Sequence, residues 1–401
     1  MQTRLQARYK NTPAGERAER LLRACVHCGF CNATCPTYQQ LGDELDGPRG
    51  RIYLIKQLLE GQPPTRSIQI HLDRCLTCLN CETTCPSGVR YHSLLDIGRE
   101  IVENAIPRPL PERLQRRLLL ATLPEPKRFT PLLRLARGLR PLLPKPLAQK
   151  ISPPQPAPTK PRPRRVHPRR MLLLDGCVQP TLAPNINAAA IGVFDRLGIR
   201  LHTAPRAGCC GALNHHLADS DRARRYMRAN IDAWLPELDA GAEAIVATAS
   251  GCGAHLKAYG ELLADDPDYA EKAARIAEAT RDISEIVAQE DLDKLPRPPS
   301  RRIAFHTPCT LQHAQGLHGK VESILQRLGH ELTPVPDSHL CCGSAGVYSL
   351  LQPDLAHRLR DDKLRNLQSG EPEVIVTANI GCLEHLRGGT TIPVRHWIEE
   401  I

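Results

Sequence analysis

Two stretches constrain this chain more than anything else in it: CVHCGFCNATCP at residues 25–36 and CLTCLNCETTCP at residues 75–86. Each spaces three cysteines by two residues, adds a fourth after three more, and closes on proline. A loop of that kind can wrap three corners of a compact cluster, while the fourth cysteine and its proline lead away from the loop. The chain carries 16 cysteines in 401 residues. Its first residues, MQTRLQARYKNTPAGERAER, lack the apolar core of a secretory signal. No run of about eighteen apolar residues occurs. The chain is therefore expected in the cytoplasm, free or peripheral on the inner face of the cytoplasmic membrane, where thiols stay reduced. Thiols at this density in that compartment serve metal ligation, not a disulfide framework.

Zinc also accepts four thiolates, but its sites usually join two Cys-x-x-Cys pairs from separate segments. Three cysteines at consecutive two-residue spacings, followed by Cys-Pro and then repeated, match the run that holds [4Fe–4S] clusters. In two-cluster ferredoxins with this run, the fourth cysteine ligates the cluster of the other motif. That resemblance implies one cluster on Cys25, Cys28, Cys31 and Cys85, and a second on Cys75, Cys78, Cys81 and Cys35. Each tetrad then needs its twin, which accounts for the repetition. His27 sits among these ligands but is expected to be a loop residue, because four thiolates suffice.

The rest of the chain divides by texture. Residues 1–105 hold the tetrads and, between them, DGPRGRIYLIKQLLEG, with Ile52, Leu54, Ile55, Leu58 and Leu59 at helical spacing. Pro48 and Gly61 mark the start and stop of that helix. HSLLDIGREIVENA predicts another amphipathic helix. Residues 106–170 form a basic, proline-rich linker that holds much of the formal net charge of +10 and predicts short helices near PERLQRRLLLATL and FTPLLRLARGLRPLL. Its Arg162, Arg164, Arg165, Arg169 and Arg170 suit a partner or an anionic membrane surface. With only 3% aromatic residues, the chain lacks the means to stack bases, so nucleic acid is not an expected partner.

Residues 171–298 and 299–401 look like two copies of one unit. RRMLLLDGC and RRIAFHTPC each give a strand, a turn and a cysteine. A helix and a short strand then lead in each copy to Cys-Cys-Gly, and a longer helix and another strand lead to Gly-Cys. The registers agree: 32 positions from Cys177 to Cys209 and from Cys309 to Cys341. The order strand–helix–strand–helix–strand predicts an α/β layer with parallel pairing. Cys177, Cys209, Cys210 and Cys252 in the first copy, and Cys309, Cys341, Cys342 and Cys382 in the second, are expected to converge as further metal ligands. Buried, inert thiols are the competing outcome. Gly211 and Gly343 would let the backbone approach a bound group closely.

Two such tetrads followed by paired CCG modules resemble a family of iron–sulfur electron-transfer subunits. It includes subunits of glycolate oxidase, anaerobic glycerol-3-phosphate dehydrogenase, lactate utilisation systems and heterodisulfide reductase. DGPRGRIYLIKQLLEG, TASGCGAHLKAYG and the overall length are most similar to the glycolate oxidase iron–sulfur subunits. The resemblance implies an α+β chain, in which a helical two-[4Fe–4S] ferredoxin-type domain precedes two tandem α/β CCG repeats. It also implies flavin-containing partner subunits that carry FAD and oxidise glycolate to glyoxylate. This chain, binding no substrate itself, would pass the electrons to a quinone or another acceptor. The alternatives are the equivalent subunit of a lactate or glycerol-3-phosphate dehydrogenase, or a heterodisulfide-reductase-like protein. No Gly-x-Gly-x-x-Gly fingerprint is present to bind a dinucleotide here. The family's repeats end in Cys-x-x-Cys, but the first of those positions is Ala249 in one copy and Asn379 in the other. Each copy thus lacks one thiolate, which weighs against disulfide reduction, and Ala249 and Asn379 are expected to line the thiol pockets.

Overall fold

A computed structural model describes residues 1–142, 144 and 167–401. The N-terminal unit is built on four helices: Pro13–Ala24, Pro48–Glu60, Arg66–Asp73 and Tyr91–Ala105. The predicted helix starts at Pro48 and ends where Gly61 takes φ 108° as its cap. Its apolar stripe, Ile52, Ile55, Leu58 and Leu59, packs with Leu22, Leu72, Leu94 and Leu95 into one core. Gly98 lets helix Tyr91–Ala105 press against Ile55, for a Cβ there would stand 2.6 Å from Ile55 Cγ1.

The two cysteine loops cross this scaffold as structural twins. Each continues into a four-residue helix, Phe30–Ala33 or Asn80–Thr83, entered through a left-handed residue, Gly29 or Leu79. His27 and Thr77, each two residues after the first cysteine of its tetrad, are left-handed as well.

The linker does form helices, Leu110–Thr122 and Pro126–Leu139. They are tied to the body by Arg116 to Asp73 at 3.0 Å and by Tyr226 to Glu125 at 2.5 Å. Arg162, Arg164 and Arg165 lie outside the described residues. Arg169 begins strand β1 and pairs with Glu243 and Glu290. No described helix is long and apolar enough to cross a membrane.

The C-terminal part confirms the duplication. Strands β1 (Arg169–Leu173), β2 (Ile199–His202), β3 (Ile245–Ala247) and β4 (Thr280–Asp282) form one parallel sheet in the order β2-β1-β3-β4. Strands β5 (Arg302–His306), β6 (Glu331–Leu332), β7 (Val374–Thr377) and β8 (Val394–His396) repeat it as β6-β5-β7-β8. Each sheet thus carries one more strand than its sequence pattern predicts. β4 and β8 are three residues long and polar, and exist because they pair with β3 and β7. The repeats share one apolar core, from Met171 to Ile398. Ser250 N–H donates to the Ala378 carbonyl at 3.0 Å across their junction.

Candidate functional site

In a parallel sheet of this order the connections leave β1 and β3 in opposite directions, opening a crevice at their carboxyl ends where ligands gather. Cys177 follows β1, Cys209 and Cys210 follow β2, and Cys252 lies on the helix after β3. The second repeat places its cysteines in the same way. In each repeat, cysteines from separate loops come to lie beside one another in pairs. Cys177 lies beside Cys209, and Cys210 beside Cys252. Cys309 lies beside Cys341, and Cys342 beside Cys382.

Buried polar groups hold the adjacent cysteines in place. Asn230 donates to the Cys209 carbonyl at 2.8 Å, and Tyr259 to that of Cys210 at 2.7 Å. Gly211 and Gly343, both left-handed, turn their N–H groups onto Cys209 and Cys341 Sγ at 3.4 Å. Asn379 reaches Cys382 Sγ at 3.6 Å, so it lines the second thiol group as expected. Ala249 holds the equivalent N-cap position in the first repeat and is buried.

The N-terminal tetrads line two adjoining cavities. One is walled by Cys25, Cys28, Cys31 and Cys85, with Cys81 at its edge. The other is walled by Cys35, Cys75, Cys78 and Cys81. Pro48, Cys81 and Tyr91 are common to both, so the cavities abut. His27 stands on the rim of the first, exposed, its Nε2 3.3 Å from the Arg49 carbonyl.

Electrostatics favours a cationic guest in each place. Burial, helped by neighbouring thiolates, pushes the Cys31 thiol up to about 11. Burial holds Cys78 and Cys81 well above the ordinary thiol range. The neighbouring Cys209 and Cys341 thiols, and then burial, do the same to Cys177 and Cys309. Such thiols resist ionising as a bare group, whereas an iron–sulfur core binds them as thiolates and supplies the compensating charge. The donor sets therefore fit the clusters expected of them.

Three residues escaped the sequence pattern. Arg51 is fully buried against the second cavity, donating to the His71 carbonyl at 2.7 Å and facing Asp46 at 3.5 Å. Lys363, also buried, donates to the Asp337 carbonyl at 2.6 Å beside the second repeat's thiols. His306, at the end of β5, has its Nε2 or Nδ1 within 4.8 Å of the sulfurs of Cys342 and Cys382. Its Nδ1 lies 3.0 Å from Thr377 Oγ1, and its Nε2 has no partner among the described residues. The one sequence signal was a histidine inside the apolar strand RIAFH where the first repeat has Leu174.

The second cavity and the second repeat meet. Cys78, Cys309 and Cys341 pack together around Leu76, Tyr348, Leu355 and Leu359. Tyr348 Oη–H donates to the Arg74 carbonyl at 3.1 Å, and Asn80 to that of His339 at 3.2 Å.

The chain matches the 4Fe-4S dicluster domain family over residues 21–89 and the CCG cysteine-rich domain family over residues 171–257 and 303–387. Along 399 residues, 100% of this chain and 98% of the relative, it is 57% identical to the glycolate oxidase iron-sulfur subunit of Escherichia coli (strain K12). It is 30% identical over 394 residues to the probable glycolate oxidase iron-sulfur subunit of Bacillus subtilis (strain 168), covering 91% of this chain and 88% of that one. Lactate utilization protein A of Bacillus licheniformis is 26% identical over 217 residues, 53% of this chain and 88% of that protein. With both domain types in register and likeness along its whole length, the chain belongs to the family of glycolate oxidase iron–sulfur subunits.

Proposed function

We propose that this chain is the electron-carrying subunit of a flavin-dependent glycolate oxidase. Cys25, Cys28, Cys31 and Cys85 would hold one [4Fe–4S] cluster, and Cys75, Cys78, Cys81 and Cys35 the second. When bound, each cluster accepts and returns single electrons, whereas a flavin on a partner subunit receives the pair taken from glycolate. The carrying observation is the lining of the two abutting cavities, where Cys85 joins Cys25, Cys28 and Cys31 in one, with Cys81 at its edge, and Cys35 joins Cys75, Cys78 and Cys81 in the other. Full-length likeness to a glycolate oxidase subunit favours glycolate over lactate, for which the likeness spans about half the chain.

The protein's own groups serve this role in distinct ways. Arg51 sets a buried positive charge beside the second cavity, which favours the reduced, more negative state of a group held there. Around exposed Cys28, Val26 is 69% and Phe30 61% exposed, an apolar collar suited to a partner subunit. On the linker helices, Leu110, Leu114 and Leu118 recur every fourth residue in the open, as do Leu132, Leu135 and Leu139 at helical spacing. Arg113, Arg117, Lys127 and Arg134 are exposed beside them. Basic amphipathic helices of this kind favour an anionic membrane surface, where a quinone would be within reach. The thiol groups of the repeats would carry further iron–sulfur, with His306 as an added donor in the second.

The test is anaerobic reconstitution with the flavin subunits. Glycolate should bleach the brown absorbance of this chain, with about eight iron and eight sulfide found in residues 1–105. Clusters that dithionite reduces but glycolate does not would overturn the substrate, and stoichiometric zinc without acid-labile sulfide would overturn the cofactor.

A further inference from the structure

Where the N-terminal unit meets the first repeat, four side chains turn toward one another from three helices. Asp96 comes from helix Tyr91–Ala105, His215 and His216 from Ala212–His216, and His255 from Ser250–Lys257. Asp96 Oδ2 lies 3.0 Å from His215 Nε2. One ligand atom from each of Asp96, His215 and His216 falls within 4.8 Å of the other two. The imidazole centroids form a near-regular triangle, at 5.4 Å for His215–His216, 5.5 Å for His215–His255 and 6.0 Å for His216–His255. His255 is only 5% exposed, and its Nε2 has no hydrogen-bond partner among the described residues. Asp96 Oδ1 is buried and equally without one.

We propose that Asp96, His215, His216 and His255 form a mononuclear site for a divalent cation of the zinc class, which clamps the N-terminal unit onto the first repeat. Ligands 2.0–2.1 Å from a tetrahedral zinc stand roughly 3.3 Å apart. The Asp96–His215 pair already has that spacing, and rotation of the imidazoles about their broad terminal torsions draws in the others. Three imidazoles and one carboxylate are nitrogen and oxygen donors, the set that selects zinc over the thiolate-bound iron held elsewhere. A cation also answers what hydrogen bonding leaves unmet, the orphaned Nε2 of His255 and Oδ1 of Asp96. His216 is exposed, so the site opens to solvent and metal can enter. The nearby Arg99 is committed elsewhere, donating to the Leu72 and Cys75 carbonyls.

The second repeat supplies an internal contrast. His385 corresponds to His255, three residues after the last cysteine, but its Nε2 is 3.1 Å from the Ala356 carbonyl. Where His215 and His216 stand, the second repeat has Val347 and Tyr348. The duplicated fold alone therefore does not produce the cluster, which arises only in the copy that meets Asp96.

The proposal does not depend on the glycolate reading. Full-length protein, purified anaerobically with zinc present, should carry one zinc per chain in addition to its iron. X-ray absorption at the zinc edge should show a shell of nitrogen and oxygen only, near 2.0 Å, without the sulfur shell near 2.3 Å that a cysteine site would give. His215→Ala with His216→Ala should abolish zinc binding and leave iron content unchanged. Asp96→Asn should weaken zinc binding at least tenfold in competition with a chelator. No stoichiometric zinc, a sulfur shell, or zinc retained by the double variant would overturn it, and the absorption measurement on unaltered protein decides the matter even if the variants fail to fold.

Discussion

Gly343→Ala should loosen the second repeat far more than Gly211→Ala loosens the first, although the two glycines are equivalent. Both are left-handed, at φ 87° and 90°, so a Cβ costs about 1–2 kcal/mol in either place. The surroundings differ. At Gly211 the new Cβ would stand 3.1 Å from the Ala223 carbonyl oxygen, which a few tenths of an ångström relieves. At Gly343 it would stand 2.6 Å from the Ala356 carbonyl oxygen and 2.9 Å from Leu359 Cβ, both on helix Pro353–Gln368. That helix must move, and overpacking of this kind costs about 1–3 kcal/mol more. The totals are about 2–5 kcal/mol at Gly343 and about 1–2 kcal/mol at Gly211. Because a multidomain protein does not unfold as one step, the assay is amide hydrogen exchange on the holoprotein, which reads local opening. Exchange in Pro353–Gln368 should quicken by about 30-fold or more in Gly343→Ala. In Gly211→Ala, the matching helix Ser220–Asp239 should change by about 5- to 30-fold. Equal effects in the two helices, or no effect at Gly343, would refute the reasoning from close approach.

Cys35→Ser should disturb the cluster whose other ligands are Cys75, Cys78 and Cys81, not its sequence neighbour; Mössbauer spectra showing loss only at Cys25–Cys31 would contradict the crossed assignment. His306→Ala should keep the iron of the second repeat but remove imidazole nitrogen coupling from its pulsed electron resonance spectrum. If Cys342→Ser removes no iron, the cluster reading fails; if iron is present without nitrogen coupling, only the histidine does. Asp282 is buried, and burial raises its carboxyl to about 6. Its cost to stability is therefore absent below the unfolded value near 4, grows as pH rises through 6, and reaches about 3 kcal/mol above that. Urea unfolding of the first repeat should show stability falling between pH 5 and 8, by roughly half that amount, and Asp282→Asn should flatten the profile.

What the sequence makes legible here is whatever depends on local spacing. Cysteine intervals place the tetrads and the Cys-Cys-Gly turns, and Pro48 and Gly61 bracket a helix whose apolar stripe is plain. Equal spacing from Cys177 to Cys209 and from Cys309 to Cys341 announces two copies, and both sheets have the same strand order. Features decided by distant partners stay hidden. TRD and VRH have no strand signature of their own and become β4 and β8 only against β3 and β7. Net charge marks the linker only as basic and outward-facing toward a partner or membrane, yet Arg108 and Arg116 turn inward to Asp73. His306 and the group around Asp96 carry no motif, because their members lie on different elements that only the packed fold brings together.

That packing also breaks a symmetry the sequence suggests. Two matched tetrads and two matched repeats could have met in two equivalent ways, giving two routes outward. The N-terminal unit instead touches the repeats unequally. Toward the second it presents Cys78, sealed with Cys309 and Cys341 by Leu76, Tyr348, Leu355 and Leu359. Toward the first it presents Asp96, which meets His215. Under the proposed ligation the centres would then be successive neighbours, from the cavity beside exposed Cys28, through the adjoining cavity of Cys75 and Cys78, to the second repeat. The last step lies in an apolar cluster where Cys341 is buried and Cys78 and Cys309 half-buried, and under that reading its low polarity would strengthen the influence of nearby fixed charges such as Lys363 and Arg51. Duplication supplied two copies of one ligand frame, and among the described residues it is the second whose cysteines pack against a tetrad cysteine, Cys78.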